Sequence, residues 1–155
     1  MLLYLLRHAD AAPQAPSDAA RELTSRGIEQ AQRVGKFCAK NEILPQIIVT
    51  SPFRRAEQTA RFVGHALGVE PVIAPFLASG MEPEVARGEL AVYTSHNALM
   101  LVGHEPDFSR LAAELLGLPD NAHLRLRKAS LTLLNVPDLA PGAATLEFSL
   151  PVKLM

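Results

Sequence analysis

Three short stretches constrain the fold of this chain more than anything else: Leu2–Leu6 (LLYLL), Gln46–Thr50 (QIIVT) and Ala98–Val102 (ALMLV). They are almost continuously apolar and lack the alternation of a strand that shows one face to water. Such runs suit strands buried on both faces of a parallel sheet. Helical spacing separates them. Thr24 or Ser25 opens a helix carrying Ile28, Ala31, Val34, Phe37 and Cys38, fading by Asn41. Ser51 and Pro52 read as an N-cap and first helical residue, with Gly68 as the stop after Leu67. Val72–Ala74 is a short strand candidate, 75–83 a loop and 84–93 a modest helix. Pro106 starts a helix that Gly117 ends, and Ser130–Val136 with Ala144–Leu150 form a closing hairpin. Alternating β and α segments predict an α/β fold: a three-layer α/β/α sandwich on a mostly parallel central sheet.

The chain has 155 residues, close to the ~150 of one domain, so residues 1–155 are expected to form a single domain. Lys and Arg total 15 against 16 Asp and Glu, a balance that argues against a broad nucleic-acid or anionic-membrane footprint. One cysteine, Cys38, excludes an internal disulfide and a multi-thiolate metal site. No apolar run reaches membrane-spanning length, and the N-terminus lacks a basic leader. A cytoplasmic protein is expected.

Ligands in such folds bind beyond the C-terminal ends of the strands, and the chemistry-bearing residues fall there. LLYLL runs into Arg7-His8, ALMLV into Gly103-His104, and QIIVT into a helix start holding Arg54 and Arg55. Parallel strands gather two histidines and at least two arginines at one rim. Arginines and a helix N-terminus favour a phosphate. A histidine among cations resists protonation, and a neutral imidazole is a nucleophile. The pattern favours phosphoryl transfer to histidine. The bland alternatives are a solvated strand end for Arg7-His8, a surface helix arginine for Arg55 and a helix cap for His104, with Gly103 letting the chain turn. His65 reads as a structural helix-end histidine, and His96 and His123 as solvated turn residues. Their spacing suggests no metal site. Arg125, Arg127 and Lys128 read as a solvated basic strip.

The strings LLYLLRHADA, SPFRRAEQTA and LMLVGHEPDFSRL resemble, in order and spacing, the motifs of the histidine phosphatase (phosphoglycerate mutase-like) superfamily. The segment Ser17-Asp18-x-x-Arg21-x-Leu23-Thr24 and the short length bring the chain nearest to the small SixA-type phosphohistidine phosphatases. The resemblance implies His8 as the nucleophile, Arg7 and Arg55 holding phosphoryl oxygens, His104 donating to the same group, and Arg21 and Asp18 binding substrate. It implies no metal or cofactor, a site that fits a phosphate or sulfate ion, and a phosphorylated protein such as a histidine phosphotransfer domain as substrate. Small phosphate monoesters are the second substrate class, and a catalytically lapsed phospho-binding module is the third reading. Where many members carry a general-acid glutamate, this chain has Phe76 in Ala74-Pro75-Phe76-Leu77. Asp18, Glu82 or no residue remain for that role. The missing acid tilts the expectation towards a P–N bond, because an imidazole leaves more readily than an alkoxide. The short chain also predicts a shallow, open site.

Overall fold

The computed structural model describes residues 1–155. A six-stranded sheet runs β3-β2-β4-β1-β5-β6, with β1 Leu2–Arg7, β2 Ile47–Thr50, β3 Val72–Ile73, β4 Ala98–Gly103, β5 Leu131–Asn135 and β6 Thr145–Leu150. The first four strands in that order are mutually parallel, and β5 and β6 are antiparallel to their neighbours. The α/β expectation holds, including the mixed strand direction at the hairpin. The continuous apolar runs have the reason anticipated for them. Leu3, Leu5, Leu99, Leu101 and Val49 join one core, while Tyr4, Leu6, Met100, Val102 and Ile48 join another. Alternate side chains thus leave opposite faces of the same strand, and both faces are covered.

The helices supply the two covers. α1 (Ser25–Lys40) and α2 (Arg54–Leu67) contribute Ala31, Val34, Ala56, Ala60 and Val63 to one core. On the opposite face, α3 (Pro83–Leu90) and α4 (Asp107–Leu116) contribute Ala86, Leu90, Phe108, Leu111 and Leu115. Thr24 caps α1 by accepting from the Gly27 amide at 3.0 Å. Gly27 is needed for a second reason: a Cβ there would stand 1.9 Å from the Asp10 carbonyl oxygen. The helix therefore rests directly on the loop that leaves β1.

Three boundaries differ from expectation. α2 begins at Arg54 with Phe53 as its N-cap, because Ser51 closes a local turn by accepting from the Phe53 amide at 3.2 Å. The segment 84–93 divides into α3 and a 3-10 turn over Ala91–Tyr93, and Pro75–Leu77 is also a 3-10 turn. Gly103 has no positive φ. Its missing side chain instead admits the Phe108 ring, which a Cβ would meet at 2.7 Å.

Candidate functional site

β1, β2 and β4 are parallel neighbours in register, Arg7 beside Gly103 and Thr50 beside Val102. The residues that follow them, His8, Ser51 and His104, therefore emerge at one rim. Their side chains are nearly removed from water: His8 is 6% exposed, His104 1%, Arg55 4% and Ser51 0%. The His8 and His104 rings lie 5.3 Å apart between centroids.

Hydrogen bonding sets the His8 tautomer. Its Nδ1 lies 2.8 Å from the Ala9 carbonyl oxygen. A carbonyl only accepts, so Nδ1 carries the proton and Nε2 carries the lone pair. That lone pair accepts from Arg55 Nε at 3.2 Å. Arg55 is held in turn by Asp18, through NH1 to its carbonyl oxygen at 2.7 Å and NH2 to Oδ2 at 3.1 Å. Its guanidinium carbon stands 5.1 Å from the centre of the Phe53 ring. Thr59 Oγ1 accepts from the Ala9 amide at 3.1 Å and donates to the Arg55 carbonyl at 2.7 Å, tying the loop after β1 to the first turn of α2.

Burial pushes the His8 imidazole down to about 3, with the His104, Arg55 and Arg7 charges adding to it and the bond to Ala9 opposing it. Burial likewise lowers His104 to about 4, with Arg55 and Arg7 assisting and Asp18 opposing. Both rings are neutral at physiological pH. Repulsion from cations was the cause expected from sequence; desolvation is the larger one.

The sequence-derived residues do not all take equivalent places. His8, Arg55 and His104 form the buried group. Arg7 donates from NH1 to the Leu126 carbonyl at 2.9 Å, and its Nε is buried without a protein partner. Arg21 bonds to the Ala12 carbonyl at 2.6 Å and to Asp18 Oδ1 at 3.0 Å, on a more exposed flank. Asp18 was expected to bind substrate, yet its carboxylate engages Arg21 and Arg55. Those bonds, Arg21 first, hold its pKa below the usual carboxylate value. A carboxylate in that state has no proton for a leaving group and repels an anion, so its geometry suits positioning of the two arginines. Glu82 is an exposed residue just before α3, and Phe76 packs against the core. Arg54 turns outward to Glu22 and Glu57.

Sequence reasoning overlooked Ser51, read only as a helix cap. Its Oγ lies 2.7 Å from His104 Nε2 and orients that ring. A signal was present, since Ser51 follows its buried strand just as His8 and His104 follow theirs. Phe53, with its ring 5.1 Å from that of His104, carried no comparable signal.

No group of three His, Cys, Asp or Glu side chains is arranged to hold a metal, and the concentrated positive charge comes from arginines. Such a centre has the charge to accept a tetrahedral dianion and an imidazole lone pair to present to it.

Known proteins resemble this chain in sequence and in fold. The family model of the histidine phosphatase superfamily (branch 1) matches residues 3–79. The phosphohistidine phosphatase SixA of Escherichia coli (strain K12) is 29% identical over 119 residues, 74% of each chain. An uncharacterized protein of Picosynechococcus sp. is 30% identical across 95% of this chain and 89% of its own. In fold, a protein histidine phosphatase SixA solved with tungstate superposes with a TM-score of 0.89 at 23% identity, covering 99% of both chains. The alpha-ribazole phosphatase of Shigella flexneri does so at 0.82 and 21% identity, over 98% and 97%. The span matched by the family model carries β1 with Arg7 and His8 and the α2 start with Arg55, side chains that meet in the fold. The chain belongs to the histidine phosphatase superfamily and is a SixA-like phosphatase.

Proposed function

We propose that this protein is a metal-independent phosphohistidine phosphatase that works through a phosphorylated His8. The observation that carries the reading is the His8 tautomer: Nδ1–H is fixed on the Ala9 carbonyl, leaving the Nε2 lone pair beside Arg55. Arg55 and Arg7 take the phosphoryl oxygens, and His104, oriented by Ser51, donates to the same group. Asp18, itself bonded to Arg21, holds Arg55 in place from the exposed flank.

In the first step His8 Nε2 attacks phosphorus in line. The P–N bond to the substrate histidine breaks with its electron pair returning to the departing nitrogen, and the substrate imidazole, already protonated on its other ring nitrogen, leaves as a neutral ring. In the second step water attacks phosphorus and its oxygen and protons leave on the inorganic phosphate, while the P–N electron pair returns to His8 Nε2 and Nδ1 keeps its proton on the Ala9 carbonyl. Charge stabilisation by the arginines and pre-positioning supply most of the acceleration. Phe76, packed against the core, and the ion-paired state of Asp18 both favour a leaving group that needs little acid help. The E. coli SixA relative, a phosphohistidine phosphatase by name, agrees with this substrate class. The physiological substrate is then a phosphorylated histidine on a protein, a signalling phosphotransfer domain being the natural candidate.

The test is trapping. Incubation with a protein carrying radiolabelled phosphohistidine should place label on His8 in an acid-labile, alkali-stable bond, and His8→Ala should abolish it. A stable, unhydrolysed complex without transfer would indicate a lapsed binding module. Faster turnover of simple phosphate monoesters than of phosphohistidine would assign the ester class instead.

A further inference from the structure

The antiparallel hairpin brings a second feature to the catalytic rim. β5 enters the sheet where β1 leaves it, with Leu6 beside Leu131, and β6 ends at the same level, with Leu150 beside Leu131. Residues 125–130 and 151–153 therefore flank Arg7, and the first turn of α1 adds Arg26. Together Arg7, Arg26, Arg125, Arg127, Lys128 and Lys153 line a groove of about 360 Å³. Asp10 is the acidic residue of its lining and is engaged by Lys128 at 2.7 Å. Arg26, Arg125, Arg127 and Lys153 have no carboxylate within ion-pair distance, and all four are exposed.

The strip is fastened to the site. The Ala129 amide bonds the Arg7 and His8 carbonyls at 3.1 and 3.2 Å, and Leu126 accepts from Arg7 NH1 at 2.9 Å. Ala129 holds φ of 54° with its side chain fully buried. That left-handed conformation costs an alanine about 1 kcal/mol and persists because both neighbouring carbonyls are satisfied. The backbone that carries Arg125 and Arg127 is thus anchored next to His8.

We propose that this groove docks an acidic protein segment flanking the phosphorylated residue. This deepens the phosphohistidine reading and rests on it. Four unpaired cations in an open groove complement a run of carboxylates, steer its approach and fix its register. A nucleic acid fits less well, because no aromatic side chain lines the groove to stack a base. A membrane surface fits less well too, as Val152 is its one apolar side chain besides Pro151.

The test compares wild type with the double variant Arg125→Glu/Arg127→Glu, exposed residues outside the catalytic group. The first probe is a fluorescent, unphosphorylated Asp/Glu-rich peptide, read by anisotropy at low and physiological salt. The others are a lysine-rich peptide and a single-stranded oligonucleotide of matched length. The acidic peptide should bind wild type best, weaken with salt, and bind the variant at least roughly tenfold less well. Acidic and basic peptides binding alike, a variant that binds unchanged, or an oligonucleotide that binds more tightly would each overturn the proposal. Free phosphohistidine and phosphohistidine peptides with acidic or neutral flanks give a second readout. The variant should lose the preference for acidic flanks through KM, while its turnover of free phosphohistidine stays within about twofold. Wild type turning over free phosphohistidine with no flank preference would overturn the groove alone. Absence of phosphohistidine turnover in wild type would instead overturn the function, and peptide binding would still decide the groove.

Discussion

On one side of Arg7 lies a buried polar group, and on the other an exposed basic groove. His8, His104, Arg55 and Ser51 are each less than a tenth exposed and nearly every polar atom has a named partner. The groove cations are solvated, long and mostly unpaired. The difference follows from dielectric. Out of water, a misplaced donor or an extra proton is expensive, so tautomers and rotamers are dictated. In water, a cation costs little to leave free and retains its reach for a partner. The proposed chemistry falls on the rigid side and the proposed recognition on the adaptable side.

The comparison breaks most severely at the nucleophile. His8→Ala should lower kcat/KM by about a thousandfold or more and remove the phosphoenzyme, measured by single-turnover kinetics; near-normal turnover would displace His8 from its role. Arg55→Ala should cost about a hundredfold, and Arg55→Lys should recover little of it, because an ammonium cannot reproduce a fork that bridges His8 and Asp18. Ser51→Ala should lower kcat by roughly fivefold with KM little changed, as expected of a residue that orients His104. A change confined to KM would instead make Ser51 a substrate contact.

Stability against pH is a gentler probe of the buried side. The folded protein keeps His8 near 3 and His104 near 4, whereas an unfolded histidine titrates near 6.5. Below about 6.5 the unfolded chain binds more protons, so stability is full above that pH and falls as pH drops towards 4 and 3. The slope approaches about 1.4 kcal/mol per pH unit for each such histidine. Urea midpoints measured across this range should fall less steeply in His104→Gln than in wild type. The smallest effect belongs to the exposed side: Lys153→Ala should leave the turnover of free phosphohistidine within about twofold, measured at physiological salt.

Legibility in the sequence followed local physics. The buried strands could be read because a strand covered on both faces needs apolar side chains at every position, as in Leu2–Leu6. His8, His104 and Arg55 could be read because each sits at a strand end or a helix start, where topology alone brings it to the rim. The Asp18–Arg21 pair lies within local reach, three residues apart, but nothing local says that the same loop carboxylate will reach a helix arginine 37 residues away. Ser51 was misread for a similar reason: the Ser-Pro pattern is a helix-start signal, and the competing bond to His104 is long-range.

By itself, then, the sequence determined the α/β class, the strands buried on both faces, and the gathering of His8, His104 and Arg55 at one rim. Each of those depends on periodicity or on position relative to its own element. Tertiary structure decided which His8 nitrogen holds the lone pair, which arginine faces it, and how Arg7, residues 125–128 and Lys153 became one groove. Those outcomes depend on the antiparallel return of β5 and β6 and on desolvation. Neither is a property of any single segment.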